Sequence, residues 1–496
     1  MNASLFPHRS SRFALSALAL AALLAGCSVG PRYQLPASAS PTYWKEQKAA
    51  EGWLPAAPAD ALDRGEWWKL FGDPTLDKLA SRVQVSNQNI AAAVANYANA
   101  QALVRGQRAA LFPSLTLNGS GKRTGGGDTP PSNAFAASLG AAWAPDVWGR
   151  LRESVNSASA NAQASEADLA SARLSAIGDL ATNYLSLREA DVEIGLLDET
   201  IKGYERAFEI TRNRYNAAIA AQTDVLQAQT QLANARATRL TLVRTRATLE
   251  HAIAVLVGAA PADFSLAPAP WTQTVPGIPT GVPTTLLQRR PDIAAAERAV
   301  AAANSQIGIA RSAYFPSFNL SASIGSSASR VGSLFSAPNT LWSLGLTAAQ
   351  VVFDAGAIGA SVDAAKASYD ASVAHYRQTV LAAFQGVEDQ LTTGATLAQQ
   401  EGMYREASNA ADKTEQQLLN RYREAQVAYT DVVTAQVAAL SARRTLVQVQ
   451  LNRQTAAVAL IQALGGGWQA GWMGGDAQAA TTATTQQQPS ASEPKP

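Results

Sequence analysis

Apolar positions along this chain follow two periods, and the switch between them recurs. From Arg150 to Tyr215 there is no proline, and Leu180, Tyr184, Leu187, Ile194, Leu197, Ile201, Tyr204 and Phe208 fall at spacings of three, four and seven. That seam predicts a long helix in coiled-coil packing. Val433, Val437, Leu440, Val447, Leu451, Val458 and Ile461 repeat it, interrupted by Arg444 and Gln454. About 65 helical residues at ~1.5 Å each reach about 100 Å, too long for a compact helical bundle.

Between the helical stretches the period drops to two. Phe112 to Lys122 begins an alternation, and Gly125 to Pro131 is turn-rich. Phe135, Ala137, Leu139, Ala141 and Trp143 form one face of the next run. Later, Phe318, Leu320, Ala322 and Ile324 alternate with Asn319, Ser321, Ser323 and Gly325. Trp342, Leu344, Leu346 and Ala348 alternate with Ser343, Gly345, Thr347 and Ala349. Apolar outward and small-polar inward is the pattern of a strand facing lipid; two hairpins of a soluble sandwich are the alternative. Aromatics at the strand ends (Phe112, Trp143, Trp148, Phe315, Trp342, Phe353) suit bilayer interfaces. Four strands cannot close a barrel, and lipid does not tolerate open edges. Copies of the chain must therefore pool strands, in a number the pattern leaves open.

The whole pattern occurs twice. Arg214–Gln229 (RYNAAIAAQTDVLQAQ) and Arg421–Gln436 (RYREAQVAYTDVVTAQ) lie 207 residues apart and share nine of sixteen positions. Ile90–Ala93 and Phe112-Pro113-Ser114 recur at an offset of 203, and Gly149 and Gly258 at 207. Such a duplication sets the architecture. One repeat covers 74–258, with strands near 112–145 and a hairpin tip near 216–223; the other covers 291–466, with strands near 315–353 and a tip near 423–430. Asn87–Ala110 and Thr223–Leu256 together match the long helix between them, so the two are expected to stack end to end beside it. Pro291–Ala313 and Thr430–Leu464 stand in the same relation to Gly356–Tyr422. Residues 259–290 form a proline-rich connector, after which Pro291 takes the first helical position and Asp292 suits the helix dipole. Residues 28–73, with Trp44, Trp53, Trp67 and Trp68, read as an irregular arm over the outside of the body. Residues 467–496 are rich in Ala, Thr, Gln, Ser and Pro and read as a disordered tail.

Charge and targeting narrow the setting. The net charge of +2 comes from the first 26 residues, which leaves no nucleic-acid footprint. Arg9 and Arg12 precede an apolar run from Phe13 to Ala25, too short to span as a helix, and 1–26 reads as a secretory signal. It ends Leu24-Ala25-Gly26-Cys27, similar to a bacterial lipobox, cut before Cys27 and acylated there, palmitate included. Cys27 is the only cysteine, so no disulfide forms, and its acyl chains would tether the arm (27–73) to outer-membrane lipid. Ser28 after it resembles lipoproteins sorted to the outer membrane. No later segment has 18 consecutive apolar residues.

No catalytic pattern is present: there is no HExxH, GxxxxGK[ST] or GxSxG, and only His251 and His375 follow the signal. The expectation is no enzyme, no metal and no cofactor beyond the lipid on Cys27. Thr223-Asp224 and Thr430-Asp431 open the returning helices, as caps with an acid at the positive dipole end.

Several motifs together resemble one family. They are Leu286-Leu287-Gln288-Arg289-Arg290-Pro291-Asp292-Ile293, Glu297, Ile307-Gly308, Phe315-Pro316, Asp146-Val147-Trp148-Gly149-Arg150-Leu151-Arg152 and Phe353-Asp354-Ala355-Gly356. From Cys27 to Gly467 the chain resembles TolC-like outer-membrane efflux proteins, in the lipoprotein branch typified by OprM and NodT. The resemblance implies a mainly α fold with membrane β: a homotrimer whose twelve-stranded outer-membrane barrel continues as a long periplasmic α-helical barrel. It implies a passive channel for drugs or other small solutes in a tripartite system, with a periplasmic adaptor protein and an inner-membrane efflux transporter docked at the tips. It further implies that acids near the second tip constrict the entrance. Asp431 would form a ring of three carboxylates and Asp224 another, favouring cations, with Arg421 and Tyr422 tying the hairpin to its neighbours. Two departures stand out: Thr434 occupies a position where that branch tends to place an acid, and Ala218 and Ala425 replace the usual tip glycine. A duct for secreted protein or oligosaccharide is an alternative with the same fold. A periplasmic adaptor lipoprotein is another, but it would carry one hairpin and a soluble β-region.

Overall fold

A computed structural model describes residues 29–38, 41, 43–45, 66–127, 129–278 and 289–467. The signal segment, Cys27, Trp53, part of the connector and the tail beyond 467 lie outside the described residues. The two periods become elements in the expected order: α1 (Pro74–Ser86), α2 (Gln88–Ala109), β1 (Ser114–Gly126), β2 (Thr129–Trp143), α3 (Arg150–Asn216), α4 (Gln222–Leu256), α5 (Pro291–Ser312), β3 (Ser317–Ala328), β4 (Thr340–Ala349), α6 (Ala357–Arg423) and α7 (Tyr429–Ala463). The long helices α3 and α6 each have 67 residues, and α4 and α7 each have 35. None of the described helices is long and apolar enough to cross a membrane. Packing divides the chain into two compact units, and α2, α3, α5 and α6 each contribute to both.

The first unit holds Asn96–Glu166, Ala295–Arg377 and the described part of Met1–Ala37. Its centre is a four-stranded antiparallel sheet in the order β1-β2-β3-β4. The turn is tighter than the composition predicts, because the strands run to Gly126 and resume at Thr129. Pro130 and Pro131 are accommodated where the register shifts, beyond the end of the β2–β3 ladder at Phe135; a residue without an N–H fits where a ladder bond is absent. Both strand pairs lead to a long helix through the same elbow. Asp146 accepts from the backbone N–H groups of Leu151 (2.9 Å) and Arg152 (2.8 Å), and Asp354 from those of Gly356 (2.9 Å) and Ile358 (2.7 Å). Trp148 and Phe315, expected at bilayer interfaces, stack on each other at 4.8 Å, and the Trp148 indole N–H donates to the Pro316 carbonyl at 2.7 Å. The arm is pinned here by polar contacts: the Tyr33 hydroxyl donates to Glu297, and Asn304 Nδ2 donates to the Pro31 carbonyl at 2.9 Å.

The second unit holds the two helical hairpins. Leu180, Tyr184, Leu187, Leu197, Ile201 and Tyr204 are buried as the α3 seam requires. The α7 seam is rotated near its start. Val437 is exposed and Val433 and Leu440 are half-buried, while Val432, Ala435, Gln436 and Ala439 are buried. The cause is a second neighbour: Val432 packs in one cluster with Ala207 of α3 and Ala228 of α4, which turns the buried face toward the first hairpin. The described parts of the arm carry both buried and exposed side chains, Leu35 and Tyr43 among the exposed. Trp44, Trp67 and Trp68 are buried, and Trp67 to Phe71 form a 3-10 turn. Large rings bury too much apolar surface to remain outside a body they can enter. Gln454, an interruption of the seam, binds the connector instead, accepting from the Trp271 indole at 2.8 Å and donating to the Thr272 carbonyl at 2.7 Å.

Two related joints tie the end of one short helix to the start of another. At the end of α4, Gly258 takes φ +69°, and the Ala259 N–H returns to the Ala254 carbonyl at 2.8 Å. The Leu256 carbonyl accepts from Asn87 Nδ2 at 2.8 Å, while Asn87 Oδ1 caps α2 by accepting from Asn89 and Ile90 N–H. At the end of α7, Gly465 takes φ +87°, and Arg290 donates to the Ala463 carbonyl at 2.7 Å. A Cβ on Gly258 would stand 2.3 Å from the Ser86 carbonyl oxygen, and one on Gly465 2.1 Å from that of Arg289. Each glycine is therefore required by both its dihedral angle and the backbone facing it. Gly258→Ala and Gly465→Ala are expected to cost well over the ~1–2 kcal/mol of the left-handed region alone. Gly203→Ala, in open space on α3, should instead gain about 0.5–1 kcal/mol. Thermal unfolding of the detergent-extracted protein by far-UV circular dichroism measures all three.

Candidate functional site

Two surfaces carry the functional expectations: the faces of the sheet and the hairpin tips. The strand registers place Leu117, Leu139, Ile324 and Trp342 in one row across all four strands. Ala141, Ala322 and Leu344 align beside them, as do Trp143, Leu320 and Leu346. The opposite face carries Thr116, Gly140, Ser323 and Ser343 in one row, and Ser114, Ala142, Ser321 and Gly345 in the next. Hydroxyls there satisfy themselves within the sheet, as between Ser323 Oγ and Ser343 Oγ at 2.9 Å. Neither face is covered within the chain: every residue of β1 is exposed, Leu117 at 82% and Trp342 at 78%. Among the described residues no strand pairs with the outer edge of β1 or of β4.

At the tips, the same turn closes both hairpins. In the first, Ala218 N–H donates to the Tyr215 carbonyl (2.9 Å) and Ile219 N–H to that of Arg214 (2.8 Å). In the second, Ala425 N–H donates to the Tyr422 carbonyl (3.0 Å) and Gln426 N–H to that of Arg421 (2.9 Å). Ala218 and Ala425 adopt φ 55° and 61°, so alanine is held where glycine is normally favoured. The expected threonine caps are corrected. The helices begin one residue earlier, and the N-cap residues are Ala221 and Ala428, which form no side-chain cap. Their carbonyls accept from Asp224 N–H (3.1 Å) and Asp431 N–H (3.2 Å), so the two acids lie within the first turn, still at the positive dipole end.

The candidate gate residues separate into two groups. Arg421, Asp431 and Thr434 are exposed and Asp224 is half-buried; Thr434 Oγ1 donates back to the Thr430 carbonyl at 2.9 Å. Tyr422 is buried and ties the two hairpins of its own chain together. Its ring lies 5.2 Å from that of Tyr429 and under the Arg214 guanidinium at 4.8 Å. Arg214 also donates to the Tyr422 carbonyl at 2.8 Å, and the Tyr422 hydroxyl is 3.4 Å from Thr211 Oγ1. Burial, with Tyr422 close by, pushes the Tyr429 hydroxyl up to about 12 and keeps it neutral. Arg214, Thr211 and Tyr429 were not singled out from the sequence. The repeated Arg-Tyr pair was the available signal for Arg214, whereas Tyr429 has no counterpart in the first tip.

Farther along the hairpins, Arg444 of α7 pairs with Glu193 of α3 at 3.2 Å. Burial, with Glu193 one turn away, pushes the Glu189 carboxyl up to about 7, although Arg444 pulls it down. A proton held more tightly in the folded chain makes stability fall as pH rises from about 4.5, the group's ordinary value, through about 7. Glu189→Gln should therefore raise the unfolding temperature above pH 7 and leave it unchanged near pH 4. An equal gain at both, in melts across that range, contradicts the assignment.

The tip alanines give a second expectation. Ala218→Gly and Ala425→Gly should each relieve about 1 kcal/mol of backbone strain, read as slower amide exchange at the tips.

The chain is similar in sequence and fold to known proteins. The family model described as outer membrane efflux protein matches residues 79–259 and 282–466. The toluene efflux pump outer membrane protein TtgC of Pseudomonas putida is 32% identical over 465 residues, covering 92% of this chain and 95% of that one. The pyoverdine export outer membrane protein OpmQ of Pseudomonas aeruginosa is 30% identical, covering 92% and 97%. Among solved structures, the outer-membrane channel OprN superposes with a TM-score of 0.83 at 30% identity, covering 89% of this chain and all of that one. The open state of the Neisseria gonorrhoeae MtrE outer membrane channel gives 0.79 at 27%, covering 89% and 98%.

Proposed function

Given that the chain belongs to the outer membrane efflux protein family, we propose that three copies pool their sheets into one twelve-stranded barrel and line a passive duct. The chain is an outer-membrane efflux channel. The observation that carries the pooling of copies is the sheet itself: apolar on one face, small and polar on the other, uncovered on both, and among the described residues unpaired at the outer edges of β1 and β4; the number three rests on the family resemblance. In lipid such edges must find partners, and the strands at the two edges differ, so one copy's β4 meets the next copy's β1. The polar face then lines the lumen.

On this reading Cys27 carries the lipid that anchors the arm, and the chain performs no catalysis. Pairs of hairpin tips from three copies form one mouth, where the periplasmic adaptor and the inner-membrane transporter dock. Asp431 and Asp224 place carboxylates around that mouth and favour cations. Relatives named for toluene, pyoverdine and cations have sequences similar to this chain, which fits a duct lined by small polar groups and supplied by different transporters. Small solutes are the cargo this lining supports. Two hairpins and a lipid-facing sheet disfavour the adaptor alternative.

The decisive test is the state of the extracted protein: a heat-sensitive trimer that conducts ions in a planar bilayer is expected, and a water-soluble monomer refutes the reading. Leu346→Arg on the lipid-facing side should impair assembly, a lipid-facing arginine costing up to about 2–4 kcal/mol at the bilayer centre and less toward the interfaces, while Thr347→Arg on the lumenal face assembles. Asp431→Ala should lower cation preference in the same bilayer recording; unchanged current and selectivity remove Asp431 from the mouth.

A further inference from the structure

The duplicated tip leaves one contact made and its mirror unmade. Arg214 of the first repeat stacks on Tyr422 of the second and donates to its carbonyl. The repeat relation that carries Arg214 to Arg421 carries Tyr215 to Tyr422. The mirrored pair is therefore Arg421 and Tyr215, and within one chain both are exposed, Tyr215 at 42% against 4% for Tyr422. We propose that Arg421 of one copy packs on Tyr215 of the next, repeating between chains the contact that Arg214 and Tyr422 make within one. The inference rests on the ring of copies proposed above.

Three observations support this assignment. First, going round a ring of tandem repeats, first repeat to second repeat is followed by second repeat to the first repeat of the next copy. The surface that Arg214 uses is thus offered again, one repeat later, by Arg421. Second, the receiving group is the same. The Tyr422 carbonyl lies in the last turn of α6 and already accepts from Ala425 N–H, and it takes the Arg214 guanidinium as a second donor. The Tyr215 carbonyl lies in the last turn of α3, accepts from Ala218 N–H at 2.9 Å, and has its second lone pair to offer. A guanidinium there satisfies a terminal carbonyl, meets the negative end of a helix dipole and covers an aromatic face.

Third, other polar contacts between the hairpins are not duplicated. Thr211, which meets the Tyr422 hydroxyl, becomes Leu418. Glu193 and Arg444, which pair with each other, become Gln400 and Ala237. The arginine and the tyrosine alone survive on both sides of the relation, as a contact used twice requires. The between-chain joint would then hold at the tip with fewer polar ties along its length than the joint inside the chain.

The test is site-directed crosslinking in the full-length detergent-extracted protein. Arg421→Cys with Tyr215→Cys, treated with a short bismaleimide, is expected to yield bands of two and three chains on a denaturing gel. Each single variant should stay at one chain, which also controls for Cys27. Arg214→Cys with Tyr422→Cys calibrates the reach and should react without a gain in mass. If glutaraldehyde captures the ring but the 421/215 pair stays at one chain while the 214/422 pair reacts, the contact is wrong and the ring stands. If glutaraldehyde captures no assembly, the ring and the contact fall together. A second readout needs no cysteine. Arg421→Ala and Tyr215→Ala should each lower the temperature at which the trimer dissociates, and the double variant should lower it no further; additive losses overturn the pairing.

Discussion

A helix that ends inside a protein leaves its last carbonyls without donors, and this chain ends two helices that way. α4 and α7 each stop against the start of another helix, and the orphan carbonyls are answered from the far side of the joint: Leu256 by Asn87 and Ala463 by Arg290. The requirement is general, but the solution is specific. A left-handed glycine brings the backbone round, and the facing chain comes so near that no side chain fits between. The end of one short helix is thereby tied to the start of the next. Away from the joint the α3 seam packs on α4, where Ile201 and Tyr204 meet Leu232 and Ala235.

The same rule applied to strands explains why the chain needs company. A helix can satisfy its own backbone and can be finished at its ends by a single asparagine or arginine. A strand cannot. The four strands satisfy one another in the middle and leave two edges, and among the described residues no strand pairs with either edge. A sheet that stays single in water would also have a buried face. Here nearly all the sheet's large side chains lie on one exposed face, which is stable only against lipid.

Most of the fold was legible because proline and glycine mark its boundaries. Pro113, Pro291 and the paired glycines bracket the elements, and helix ends fall within a residue or two of where the periodicity stops. What was not legible depends on a third partner. The α7 seam is displaced because α7 meets the first hairpin as well as its own partner, and no one-dimensional pattern records a second neighbour. The threonines at the tips resembled caps, but an extended alanine before each helix serves as the cap residue without a side-chain bond. Tyr422 is repeated, exposed in its first copy and buried in its second, so identity of sequence did not imply identity of surroundings. The motifs that carry the family resemblance turn out to be architectural: Arg290 finishes the α7 joint, and Asp146 and Asp354 build the elbows. Each acts by satisfying backbone groups at the end of a helix.

Divergence between the repeats follows from this division of labour. Where both copies face the same problem, the residues stay or exchange for a chemical equivalent, as Asn87 and Arg290 do at the joints. Where one copy meets its partner inside the chain, that contact forms during folding of a single polypeptide and can be elaborated with buried hydroxyls and ion pairs such as Arg444 with Glu193. A contact that must form between separately folded copies is exposed to water until they meet, so every polar group on it is solvated beforehand and pays to lose that water. Exposed arginine and tyrosine suit that situation. Each presents an apolar body with a polar head, each is soluble while alone, and together they bury a cation over a ring at little desolvation cost. Duplication supplied two equal surfaces, and the requirement that one stay wet until assembly accounts for how they have come to differ.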